Sequence, residues 1–265
     1  MLSEPPAEGG ELPRLALLAQ AMGEREYCDR LSSREAAHLG RLKNAGVRRR
    51  WLAGRLAAKS LWLSRPQRSP RLVVLEPSEL AALPAPACRE IEILAERDRP
   101  PRLSWRGKEL GSPISISHAG GYSSAALTAP GAAAGLDLEA VAPRVAAFYR
   151  QSFTARERRW VEQGARASGL TAAWLYTLLW TVKEAAFKSG ATSVRGAWEL
   201  GRLEAQLPDD LAERLAASCR PALGQCFASF ETSITSPLRS TSARVETTAT
   251  PEVILSLFNA SEARL

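Results

Sequence analysis

Apolar residues recur at helical spacing over Arg34–Leu42 and, more strongly, over "RRRWLAGRLAAKSLWL", from Arg48 to Leu63. In the second stretch Trp51, Leu52, Leu56, Leu61 and Leu63 form the apolar side, while Arg48, Arg55 and Lys59 fall near one another at helical spacing. Pro66 and Pro70 close this unit, since proline cannot continue a helix. "RLVVLEP" (71–77) reads as a strand. "SELAALPAPACREIEILAERD" is ambiguous, part of it a short helix and "REIEIL" a strand. "PISISHAGGYSSAALTAPGAAAGLDLE" (113–139) alternates and is punctuated by glycine, which predicts strand, turn, strand, turn, strand. One long helical region is predicted from Thr154 to Ser189. Weak strand signals follow at "WELGRLEAQL", "CFASFETSI" and "VILSLF". Between the last two, "TSPLRSTSARVETTATPE" (235–252) is polar and rich in Ser and Thr, and is expected to be a long loop.

This order has no βαβ regularity and predicts an α+β fold with mainly antiparallel pairing. A linker at Thr128–Gly135 divides the chain into halves of similar size, 1–128 and 129–265. No internal repeat is legible in the residues themselves. The Pro/Gly/Glu-rich first dozen residues are expected to be loose.

Composition narrows the function. With 265 residues and 45% hydrophobic content, the chain has ample material for a core. It carries no apolar run of the roughly 20 residues that a membrane span needs. Its start, "MLSEPPAEGGELPR", has neither the basic nor the apolar region of a secretory signal. Cys28, Cys88, Cys219 and Cys226 are scattered, which disfavours a disulfide framework or a structural zinc site and suits the cytoplasm. The net charge of +7 is concentrated: residues 30–71 hold 12 Lys/Arg against the single acid Glu35, so the remainder is net negative. Such a segment suits an anionic partner: nucleic acid, a phosphorylated small molecule or an acidic protein. A solvated helix face with a basic loop would look the same.

Two short stretches carry candidate chemistry. In "GLDLE" (135–139) strand geometry points Asp137 and Glu139 one way and Leu136 and Leu138 the other. Paired acids repel unless a cation lies between them; alone, the stretch also fits an edge strand with a solvated acidic face. In "LWTVKEAAFKSG" (179–190) Trp180, Lys183, Glu184, Phe187 and Lys188 fall along one helical stripe. An exposed Glu184–Lys188 pair would account for the charges at about 0.3–0.5 kcal/mol. Taken together, Asp137, Glu139 and Glu184 offer three hard oxygen ligands for Mg²⁺, with Lys183 and Lys188 adding positive charge nearby. His118 follows a strand and precedes a glycine turn. It is either a packed or capping residue or a phosphate ligand.

In this order "ISISHAGG", "GLDLE" and "LLWTVKEAAFK" resemble the three signature motifs of the surfactin-type 4′-phosphopantetheinyl transferases. "FYRQSFTARERRWV" resembles that family's F-[ST]-x-x-E segment and "RRRWLAGRLAAK" its basic first helix, so the likeness covers residues 30–190. It implies two similar-sized, pseudo-symmetric α+β halves, with coenzyme A phosphates bound by the first half and the metal site in the second. It implies Asp137, Glu139 and Glu184 as Mg²⁺ ligands, with Glu184 also the general base. Lys188 would contact the reacting phosphate and Lys183 the diphosphate. Ser117 and His118 would bind coenzyme A phosphates, Arg50 would be the phosphate-binding arginine ahead of the helix, and Lys108 the lysine of a G-K-P turn, which here reads "RGKEL". The implied activity is Mg²⁺-dependent transfer of 4′-phosphopantetheine from coenzyme A to a serine of an acidic acyl or peptidyl carrier protein, by a monomer acting without membrane or nucleic acid. The alternatives are a homologue that only binds coenzyme A or carriers, and a basic nucleic-acid-binding protein. Three occupied carboxylate positions count against the first, and the lack of a nucleic-acid motif against the second.

Overall fold

The computed structural model describes residues 14–19, 24–63, 72–75, 77–95, 100–128, 133–194, 196–218, 226–237, 239–250 and 252–264. The first dozen residues, Pro66, Pro70, Cys219 and residues 129–132 of the expected linker lie outside the described residues. Helices combine with mainly antiparallel sheets, so the fold is α+β, as the hydrophobic pattern predicts. Contacts divide the chain into two compact units, Met1–Ile114 with Ala125–Ala132, and Ser115–Ser124 with Ala133–Leu265. The segment bearing Ser117 and His118, expected with the N-terminal half, therefore clusters with the second unit.

In the first unit β1 (Arg14–Ala19) pairs in parallel with β2 (Leu72–Leu75), from Leu15↔Leu72 to Leu18↔Leu75. The short α1 (Glu24–Tyr27) precedes α2 (Ser33–Arg41) and α3 (Ala45–Leu63). The basic face predicted on α3 is only partly external, because every residue from Leu52 to Trp62 is buried. Arg55 lies inside, over the Trp51 ring at 4.3 Å and donating to Ile93 O, and its burial pushes its pKa down to about 10. Arg48 caps α2 by donating to Leu39 O and Leu42 O. After α4 (Pro77–Ala82) and α5 (Ala85–Glu90), β3 (Ile91–Leu94), β4 (Arg102–Trp105) and β5 (Lys108–Glu109) form an antiparallel meander.

In the second unit β6 (Ile114–Ala119) and β7 (Tyr122–Leu127) make a hairpin whose outer ends count with the first unit. Gly120 and Gly121, at φ 56° and 79°, supply the two left-handed residues of its turn. There follow β8 (Ala134–Ala140), α6 (Ala146–Ser152), α7 (Ala155–Ser168), α8 (Ala172–Lys188), β9 (Glu204–Gln206), α9 (Leu211–Ser218), β10 (Cys226–Ser236), β11 (Arg239–Ala249) and β12 (Val253–Arg264). Five strands form one sheet in the order β8-β12-β11-β10-β9, antiparallel throughout. α8 packs on β8 and β12, and Leu175, Leu178, Leu179, Val182, Ala185 and Ala186 enter the core.

Three expectations change here. The single helix over 154–189 is two: Gly169, at φ 74°, ends α7, and the Thr171 hydroxyl caps α8 by accepting from Trp174 N. The strand predicted at 198–207 is a 3₁₀ turn, Ala197–Arg202, followed by only three strand residues. The loop expected at 235–252 is mostly β11, whose Thr241, Ala243, Val245, Thr247 and Ala249 alternate inward. Polarity misled there, because threonine is a good strand former and the inward side chains are small.

Each unit also contains the same internal polar device, invisible as a repeat in the sequence. In the second, Thr154 and Glu157 cap α7 reciprocally, Thr154 Oγ1 accepting from Glu157 N and Glu157 Oε2 from Thr154 N. Glu157 Oε1 accepts from Ala205 N of β9. Lys183 of α8, fully buried, donates to Glu157 Oε2 at 3.1 Å and to Ser152 O at 2.7 Å. In the first, Ser32 and Glu35 cap α2 in the same way and Glu35 Oε1 accepts from Ile93 N of β3. Lys59 of α3, also fully buried, donates to Glu35 Oε2 at 2.5 Å and to Arg30 O at 2.9 Å. Arg30 and Ser152 each stand two residues before their cap, so the correspondence extends to the carbonyl used. In both units a helix start, the next helix and a strand are pinned by one carboxylate and one ammonium.

Candidate functional site

Asp137 lies on β8, opposite Ser256 of β12, and is 1% exposed. The solvated acidic face that "GLDLE" permits is thus not what forms. Asp137 Oδ1 accepts from Lys188 Nζ at 2.5 Å and from Ser117 Oγ at 2.8 Å, while Oδ2 is buried without a hydrogen-bond partner. Ser115, two residues before Ser117 on the same face of β6, accepts from Leu136 N at 3.0 Å and fixes β8 beside the hairpin. Lys188 reaches Asp137 because α8 lies almost on the backbone of β8. A Cβ on Gly135 would stand 2.0 Å from Ala185 O and 2.5 Å from Ser189 N. The glycine of "GLDLE" is there for close approach, not for backbone freedom.

Glu184, one turn before Lys188, has its Oε2 3.6 Å from the same ammonium. Burial, then the charges of Asp137 and Glu139, push its pKa up to about 7 against the partial relief that Lys188 gives. Glu139 is raised too, first by burial and then by Asp137. Arg144, Lys188 and a hydrogen bond from Trp180 oppose that rise. Burial would lower the Lys188 ammonium, but Asp137, Glu184 and Glu139 together override it and raise its pKa. The three carboxylates thus share one electrostatic field with Lys188 at its centre.

A raised carboxylate binds its proton more readily in the folded chain than in the unfolded one. The stability contributed by Glu184 is therefore complete below its ordinary value of 4.5 and is lost as pH rises through about 7. In EDTA, the urea midpoint of the wild type should fall between pH 5 and 7.5 by more than that of Glu184→Gln. Parallel midpoints would show that Glu184 does not titrate there.

Among the described residues, no group of three or more His, Cys, Asp or Glu side chains is drawn together as a metal site. The Lys188 ammonium is bonded to one carboxylate of the expected set and stands beside another. The donor chemistry nevertheless fits a hard divalent cation: the Asp137 charge helps to raise the pKa of both Glu139 and Glu184, and Asp137 Oδ2 is a buried oxygen lacking a donor.

Two residues assigned to phosphates are engaged by protein groups. Lys183, expected at the diphosphate, is spent inside the unit on Glu157 and Ser152. The predicted stripe faces two ways: Lys183 looks toward α7, and Glu184 and Lys188, one position round the helix, look toward β8. Ser117, expected at a coenzyme A phosphate, is buried and its hydroxyl donates to Asp137 Oδ1. His118 is held through Nδ1 by Ser123 Oγ of β7 at 2.9 Å. Arg50 on α3 and Lys108 on β5 are exposed residues of the first unit. Two partners of Glu139 were not anticipated: Arg144, whose Nη2 donates to Oε2 at 3.0 Å, and Trp180. The only sequence sign of Arg144 is a cation closely following the acidic pair.

Residues 133–237 match the family model described as the 4′-phosphopantetheinyl transferase superfamily. The match includes Asp137, Glu139, Glu184 and Lys188 and leaves out the hairpin and the basic first unit. A comparison with curated proteins gives no match.

Proposed function

We propose that this protein is a surfactin-type transferase that moves 4′-phosphopantetheine from coenzyme A to a serine hydroxyl of an acyl or peptidyl carrier protein, using Mg²⁺. The observation that carries this reading is the electrostatic convergence of Asp137, Glu139, Glu184 and Lys188 within the segment matching the superfamily. Asp137, Glu139 and Glu184 would hold the Mg²⁺, whose chemistry when bound is Lewis-acid neutralisation of diphosphate oxygens. Glu184, with its pKa about 7, accepts the serine proton. The serine oxygen bonds to the β-phosphorus as the bond to the bridging oxygen breaks, and adenosine 3′,5′-bisphosphate departs. Lys188 offsets charge on the phosphoryl oxygens. Ser117 orients Asp137, and His118, Arg50 and Lys108 are ligands for coenzyme A phosphates. Exposed Arg34, Arg41, Lys43, Arg49 and Arg50 in the first unit favour encounter with an acidic carrier. A monomer working in the cytoplasm completes the proposal.

Intact-mass measurement after mixing the protein with coenzyme A, Mg²⁺ and several apo-carriers should show one phosphopantetheine added per carrier. No addition to any carrier sinks the reading. Asp137→Asn keeps the shape of the buried side chain and should lower transfer by about a hundredfold or more. Wild-type turnover by this variant at saturating Mg²⁺ removes Asp137 from the site.

A further inference from the structure

Lys188 does two things at once in the free protein. Its ammonium satisfies Asp137 Oδ1 at 2.5 Å and Ser117 Oγ at 3.1 Å, and stands 3.6 Å from Glu184 Oε2. Asp137 is thereby left lopsided, with two donors on Oδ1 and none on the buried Oδ2. Lys188 is the more exposed partner: its side chain is 28% exposed against 2% for that of Asp137. We propose that Lys188 is the resident counter-ion of this carboxylate cluster, and that the site therefore takes a divalent cation more tightly together with a diphosphate than alone.

The reason is charge balance. Asp137, Glu139 and Glu184 face Lys188 and Arg144, so the cluster carries at most one net negative charge. A lone dication would reverse that sign, compete with the ammonium for Asp137 and be repelled by it at close range. A dication bound to a diphosphate brings as much negative charge as positive, so the balance is unchanged. The phosphoryl oxygens also offer Lys188 new acceptors when it gives up Asp137. Such coupling is reciprocal, so cation and diphosphate each raise the affinity of the other. This inference rests on the proposed transferase reading and specifies the form in which that site takes its substrate.

Isothermal titration with Mn²⁺ as probe, with and without coenzyme A, tests it. Wild type should bind Mn²⁺ about tenfold or more tightly when coenzyme A is present, a coupling of ordinary size. Lys188→Met should bind Mn²⁺ alone about tenfold more tightly than wild type and lose most of the gain from coenzyme A. Lys188→Gln, neutral but able to donate to Asp137, should behave likewise and serves if the Met variant unfolds. Equal Mn²⁺ affinity of wild type with and without coenzyme A overturns the inference, as does a neutral variant that binds Mn²⁺ alone no more tightly than wild type. If wild type still modifies a carrier, only the inference falls. If wild type neither binds Mn²⁺ nor modifies any carrier, the transferase reading falls with it.

Discussion

Lys183→Met is expected to destabilise the protein by about 3–5 kcal/mol, because it strands a buried carboxylate that loses its ion-pair partner. Glu157 is 1% exposed and already fixes two backbone N–H groups, Thr154 N at the start of α7 and Ala205 N on β9. Without the ammonium the carboxylate must take up a proton or draw in water, and either response loosens both elements. Lys59→Met should act similarly in the first unit, where Lys59 serves Glu35, Arg30 O and Cys88 O. Urea denaturation of each variant provides the measurement. The outcome separates two roles for Lys183: a diphosphate ligand would lower coenzyme A affinity and leave the urea midpoint unmoved.

Gly135→Ala should damage stability and activity together. The added methyl carbon would meet Ala185 O at 2.0 Å, Ser189 N at 2.5 Å and the Lys188 carbonyl carbon at 2.9 Å, all backbone atoms that no rotamer change can move. Overpacking of this kind costs about 1–3 kcal/mol and at times more. Relief requires the end of α8 to shift away from β8, which carries Glu184 and Lys188 off Asp137. A displacement of about 1 Å is enough to lower turnover by about a hundredfold. Gly169→Ala is the control: a Cβ there meets nothing within 4 Å, and only the left-handed φ of 74° opposes it, a cost of about 1 kcal/mol. If the two variants were equally stable and active, close packing of α8 on β8 would not be what builds the site.

Alternation alone cannot say why two acids share one face of "GLDLE". Alternation places Asp137 and Glu139 together but does not say whether that face is wet. Pairing β8 with β12 and covering it with α8 buries Asp137 and brings Lys188 to it from 51 residues away. The same limit explains Lys183. Helical spacing put it in a stripe with Glu184 and Lys188, and a position one residue round the helix was enough to turn it inward toward Glu157.

Local chemistry read directly from the residues was reliable where it had a local cause. The glycine turn of the β6–β7 hairpin, the basic helix before Leu63, the strands around "GLDLE" and the α+β class all follow from periodicity and backbone preference, which act over a few residues. The order of motifs also named Asp137, Glu139, Glu184 and Lys188, which the structure brings within one another's electrostatic reach. What only the tertiary structure decided are matters of burial and long-range partnership. It made a Ser/Thr-rich segment into the inward-alternating strand β11, and divided one long helix at Gly169 to stack α7 against α8. It took Arg55 and Lys59 out of the basic surface, and built the matched Glu35–Lys59 and Glu157–Lys183 pairs, a likeness not legible in the residues. A charged side chain has the same local preferences whether it faces water or a partner; its burial depends on which distant element supplies the opposite charge, and that is set by packing.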